Sequence, residues 1–150
     1  MKVNNKGQSI FEVILALGLI SLIIVAIVAM AGISIKNSSF SRNTTLATRY
    51  SEEALEWLRG QRDDNWDVFY SKALNLKWCL PTLTWLDAEI GACGEEDQIT
   101  GTSLSREVNF SFNPLEPSSV ETTVKMYWID AGGYHEVSSV TSFSDWRESK

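Results

Sequence analysis

The chain has 150 residues, room for one domain of ordinary size. Its 19 acidic residues outnumber 13 basic ones, giving a formal charge of -6, and no Lys/Arg cluster offers a surface that could track a phosphate backbone. A direct nucleic-acid partner is therefore not expected, and one histidine with two cysteines falls short of a zinc ligand set.

An N-terminal flank containing Lys2 and Lys6 leads into Gln8-Ser9-Ile10-Phe11-Glu12. From Val13 to Ile35 run 23 uncharged residues, mostly Ile, Leu, Val and Ala, with Ser21 and Ser34 the only polar side chains. About 20 apolar residues, rising about 1.5 Å each, cross the hydrocarbon core of a bilayer as a helix. From Lys36 onward lie 18 acids and 11 bases, a net -7 over 115 residues. The pattern is a membrane anchor followed by an acidic domain.

Glu12 is the informative residue at the edge of that anchor. An ionised group there costs about 2–3 kcal/mol if it sits deep, so it calls for a partner or a function. No basic residue lies one helical turn further on, and the compensating charge must come from elsewhere. Two other readings of this region stand open. Ala29-Met30-Ala31 satisfies the small-x-small rule of a cleaved secretory signal, although such apolar cores usually run about 7 to 15 residues and Glu12 intrudes at the start of this one. The third is a plain uncleaved anchor. Flanking charge does not set the orientation, because Lys2, Lys6 and the terminal amine face Lys36, Arg42 and Arg49 across the span.

Lys6-Gly7-Gln8-Ser9-Ile10-Phe11-Glu12, followed by about 20 apolar residues, resembles the class III signal of type IV prepilins and pseudopilins. The resemblance implies that a prepilin peptidase cuts after Gly7 and methylates the new terminal amine on Gln8. It also implies that Glu12 pairs with the terminal amine of a neighbouring subunit during assembly. An ammonium and a carboxylate attract far more strongly in low dielectric than in water. The family usually begins its mature chain with Phe where this one has Gln8, and many members carry a proline in the spanning helix, which this one lacks. The implied layout is a leader over 1–7, a transmembrane and assembly helix over 8–35, and an extracytoplasmic pilin-like domain over 36–150.

No Pro or Gly interrupts the chain between Lys36 and Leu58, and Phe40, Thr44, Ala47, Ala54 and Leu58 recur at helical spacings. Glu52, Glu53 and Glu56 interleave with Arg49, Arg59 and Arg62, several at i,i+3 or i,i+4, which suits a solvated helix face. One helix from about Ser9 to about Arg62 is expected. Its end, from Glu53 through Arg62-Asp63-Asp64-Asn65-Trp66, is also similar to a segment of minor pilins, a weaker match than the leader. Asp63, Asp64 and Asp67 lack the D-x-D-x-D-G pattern and closing Glu of a calcium loop, and a helix end with a solvated turn accounts for them.

Cys79 and Cys93, with thirteen residues between them, are expected to pair in an extracytoplasmic domain; the alternative is two unrelated buried thiols. Pro81, Gly91, Gly94 and Gly101 make Tyr70 to Gly101 a region of loops and short elements, with Trp78 and Trp85 packed around the disulfide. Strand alternation follows over Arg106 to Asn113 and over Val120 to Trp128, separated by a polar turn from Pro114 to Ser119. Asp130-Ala131-Gly132-Gly133 forms a hairpin turn, and Tyr134 to Phe143 returns as a third strand. The fold class is thus α+β: a long N-terminal transmembrane helix continuing into a helix packed on an antiparallel sheet of at least three strands. His135, alone after the hairpin, reads as a strand residue.

No nucleophile elbow, Gly-rich phosphate loop, metal constellation or spaced acid-base pair is present in the sequence, so no enzyme activity, cofactor, metal or small-molecule substrate is expected. The expected role is a structural subunit, a minor pilin or pseudopilin, of a type IV pilus-like or type II secretion-like filament. Its expected partners are other such subunits, the prepilin peptidase and the membrane, crossed once. The location that follows is the bacterial cytoplasmic membrane, with the C-terminal domain outside the cytoplasm and assembled into a surface or periplasm-spanning filament. A membrane-anchored or secreted extracytoplasmic binding domain that does not polymerise is the alternative.

Overall fold

The computed structural model describes residues 10–112, 119–145 and 147. The expected cleavage and methylation positions Gly7 and Gln8, most of the polar turn (Pro114 to Ser118), and Trp146 with the last three residues lie outside the described residues. The chain divides into two compact units, one up to Phe40 and one from Ser41 onward. The architecture is α+β: a long apolar N-terminal helix, then a short helix, then an antiparallel sheet of five strands, two more than the alternation marks.

Helix α1 spans Ile10–Asp64. In the first unit its large apolar side chains from Ile10 to Ile35 all stand exposed, from 44% at Val13 to 79% at Ile10. Ser21 keeps its hydroxyl satisfied by donating to the Gly18 carbonyl at 2.8 Å, which removes most of the cost of a polar group in this run.

In the second unit α1 buries Ala47, Ser51, Ala54 and Leu58, a stripe at alternating spacings of four and three residues. The expected face is present at Ala47, Ala54 and Leu58, while Phe40 stays 46% exposed. Small side chains on the stripe let the helix approach the sheet closely, and the Ser51 and Ser139 hydroxyls meet at 3.0 Å. The helix stops because Asn65 leaves helical geometry, at φ -153 and ψ 107. There its side chain accepts from the Val68 N–H at 3.0 Å and caps α2, Trp66–Ala73. What reads in the sequence as a solvated turn is therefore a hinge between two helices. Leu76, at φ 64, then turns the chain into the sheet.

The strands are β1 Lys77–Cys79, β2 Glu89–Ile90, β3 Ser105–Phe112, β4 Ser119–Asp130 and β5 Gly133–Ser144. Their order across the sheet is β2-β1-β3-β4-β5, with every neighbouring pair antiparallel. The expected meander is β3 to β5, and β1 and β2 come from the loop-rich region. A two-residue turn closes β4 and β5 at the pair Asp130↔Gly133, where Gly133 takes φ 108, a conformation open to glycine. One face of the sheet carries Val108, Phe110, Val120, Val124, Met126 and Trp128, all buried. Phe69 of α2 completes the core, meeting Phe110 and Phe143 edge-on with ring centres 5.8 and 5.5 Å apart.

Candidate functional site

Glu12 sits in the first turn of α1. No described residue pairs with it, and the nearest base further along the helix is Lys36, about 36 Å away at the usual helical rise. Around it lies the apolar surface from Ile10 to Ile35, which is long and apolar enough to cross a membrane. Such a surface needs lipid or other apolar helices to cover it, because water does not solvate a contiguous patch of this size without cost. The described part of the N-terminal region is thus an apolar rod with a single carboxylate near its beginning.

In the head, Cys79 and Cys93 are bonded, with Cα atoms 4.9 Å apart. The bond ties the end of β1 to the loop that precedes β3, and closing a ring of this size contributes about 3 kcal/mol in the chain-entropy model. Glu107, 5% exposed, lies beside it, taking the Lys77 ammonium at 3.0 Å and the Cys93 N–H at 3.1 Å. Tyr127 donates to the Cys93 carbonyl at 3.2 Å, and burial, aided by the Glu107 charge, raises its pKa. Trp85 stacks edge-on against Trp78 and lies 4.9 Å from Trp57 of α1, with its indole N–H donating to Gln61 at 2.9 Å. The Lys72 ammonium faces both Trp78 and Trp85. These contacts pack the disulfide loop against the second-unit part of α1, the role expected for the two tryptophans.

Arg106 is the buried cation of the head that sequence reading missed. It is 2% exposed and lies under α1, with Nε donating to the Leu80 carbonyl at 3.0 Å and Nη1 to the Tyr50 carbonyl at 3.4 Å. Glu53 approaches to 3.9 Å. Desolvation lowers the pKa of the guanidinium, opposed by the Glu53 charge. The signal was present, since strand alternation puts Arg106 on the face of Val108 and Phe110, where a charge requires partners.

His135 is a strand residue, as expected, stacked on Trp128 with ring centres 5.2 Å apart and 3.0 Å from Asp130. The Gly132 N–H, then the His135 ring, hold the Asp130 carboxyl below its usual range. Asp63, Asp64 and Asp67 lie at the α1–α2 hinge, and among the described residues no group of three or more His, Cys, Asp or Glu gathers around a metal-sized space. Comparison of the chain with protein-family models, with curated proteins and with solved structures finds no match.

Proposed function

We propose that this chain is a structural subunit, a minor pilin or pseudopilin, of a type IV pilus-like or type II secretion-like filament. In this reading prepilin peptidase cuts after Gly7 and methylates Gln8, and the mature chain crosses the bacterial cytoplasmic membrane once with its acidic head outside. The apolar helices of many copies then leave the bilayer and pack together in the filament core. The reading assigns the chain neither catalysis nor a cofactor.

The observation that carries it is Glu12, a carboxylate in the first turn of an apolar helix with no described partner. A solitary anchor gains nothing from this charge and bears its desolvation. In a bundle of such helices, the terminal amine of an adjacent subunit supplies the missing cation in a low-dielectric setting. The Cys79–Cys93 disulfide supports a head in an oxidising, extracytoplasmic compartment. A small head, a disulfide placed before the main sheet strands and the lack of proline in the spanning run favour a minor subunit or pseudopilin over a major fibre-former.

Intact mass of the mature chain tests the processing step. A start at Gln8 supports the reading, a start at Gly32 means release by signal peptidase, and retention of Met1 means a plain anchor. Assembly is tested by Glu12→Ala, expected to leave cleavage after Gly7 intact while incorporation into sheared filaments is lost. Incorporation at the wild-type level would remove the basis of the proposal.

A further inference from the structure

The long free edge of the sheet is β5, Gly133–Ser144, whereas the opposite edge is the two-residue β2. Backbone bonds elsewhere in the sheet settle which β5 residues face outward. The Arg106 carbonyl accepts from the Leu80 N–H, and the Phe110 N–H donates to the Leu76 carbonyl, so even-numbered residues of β3 bond towards β1. Odd-numbered residues of β3 therefore bond to their register partners Glu121, Thr123, Lys125 and Tyr127. That leaves the even-numbered residues of β4 to bond β5 through His135, Val137, Ser139, Thr141 and Phe143. Tyr134, Glu136, Ser138, Val140 and Ser142 consequently turn their N–H and C=O groups away from the sheet, and no described residue takes them up.

Natural edges of this length are blunted by Pro, by Lys, by a bulge or by a covering element. Here the β4–β5 register runs through twelve pairs without a bulge, and Gly133–Ser144 contains no Pro, Lys or Arg. Only another extended polypeptide matches a row of alternating outward donors and acceptors. Charge narrows the choice of that polypeptide. Glu136 is the single Asp, Glu, Lys or Arg side chain on the strand. It accepts from the Tyr134 hydroxyl at 2.8 Å and pairs with Lys125 of β4 at 3.1 Å, yet its side chain stays 45% exposed and open to a second cation. The chain from Lys36 on carries 18 acids against 11 bases. A second copy would set like-charged heads side by side, whereas a segment with a Lys or Arg opposite Glu136 gains from both.

The geometry points to β5 as a strand-addition site for an extended, basic segment of a different protein, which becomes the sixth strand of the sheet. This concerns the head alone and does not rest on filament assembly.

The full chain in detergent micelles is titrated with a seven-residue alternating Val/Thr peptide bearing a central Lys, and separately with its Glu counterpart, while amide exchange is followed residue by residue. The amides of Glu136, Ser138 and Val140 are expected to slow by on the order of tenfold at saturation. The Lys peptide is expected to bind about fivefold more tightly than the Glu peptide, a preference that Glu136→Gln abolishes. Ser138→Pro removes an outward N–H without touching the β4 ladder, so it should keep the fold and lose the binding. Wild-type exchange remains decisive should that variant not fold. Protection confined to residues outside β5, unchanged peptide affinity in a folded Ser138→Pro, or a concentration-dependent dimer that protects these amides without peptide would each overturn the assignment.

Discussion

Replacing Arg106 measures how firmly the second-unit part of α1 is tied to the sheet. The Nε bond to the Leu80 carbonyl, at 3.0 Å, is a well-formed bond from a charged donor, worth about 1.5–3 kcal/mol. The Tyr50 contact at 3.4 Å and the Glu53 approach at 3.9 Å are weak, and Glu53 is 55% exposed, so together they add under about 1 kcal/mol. Against these stands the desolvation of the guanidinium, which also lowers its pKa and offsets part of the gain. Arg106→Ala releases that cost, but it strands the Leu80 carbonyl and empties the volume of a long side chain, while the Tyr50 carbonyl keeps its place in the α1 ladder. The net expectation is a loss of about 3 kcal/mol, or a fall in Tm of roughly 12 °C for a head of this size. Arg106→Met fills the volume and strands only the Leu80 carbonyl, with an expected loss of about 1–2 kcal/mol. Thermal unfolding of the purified chain in detergent, followed by near-ultraviolet circular dichroism, reads both variants. A fall below about 3 °C for Arg106→Ala, or any rise for Arg106→Met, would mean that the buried cation is a net burden and not a tether.

The hinge gives a second expectation: Asn65→Ala should cost about 1 kcal/mol by removing the cap on Val68, while Asn65→Asp should hold it, as measured by urea unfolding. The hairpin gives a third. The Tyr134 hydroxyl is pushed up to about 12, first by its removal from water and then by the bond it donates to Glu136 at 2.8 Å. Because the folded state holds this proton more tightly than the unfolded chain, the contribution is complete below the ordinary tyrosine range and is lost as pH rises towards 12. Phenolate absorbance should show a late-titrating tyrosine that disappears in Tyr134→Phe; an unchanged titration in that variant refutes the assignment. The same bond, ahead of the Lys125 contact, holds the Glu136 carboxyl below its usual range.

Period and punctuation explain which parts of the fold are legible from residues alone. The long helix reads clearly because an uninterrupted apolar run meets a stretch free of Pro and Gly, and the three main strands read clearly because Val, Phe and Thr alternate with polar residues. Helix α2 does not, since Asn65 looks like a turn residue and its role as a cap emerges only when the eight residues after it pack Phe69 into the core. Strands β1 and β2 are three and two residues long, too short to show any period, and they exist because β3 offers an edge and the disulfide holds their loop in place.

The two candidate sites differ in the same way. Glu12 is visible in the sequence because a charge breaks an apolar run, and side-chain chemistry alone marks it. The β5 edge leaves no such mark, because its chemistry lies in backbone groups that every residue possesses. Only the strand order exposes them, and only the bond parity carried across from β1 shows that the even-numbered residues are the free ones. The two features also make separable demands on a partner. In the proposed filament Glu12 asks for a cation inside an apolar bundle, where salt has little effect, whereas the β5 edge asks for a strand in water, where the contribution of Glu136 is screened. If the proposed assembly holds, raising the ionic strength should weaken the charge preference at the head while leaving helix association intact, which distinguishes subunits held together by their anchors from partners recruited by the sheet.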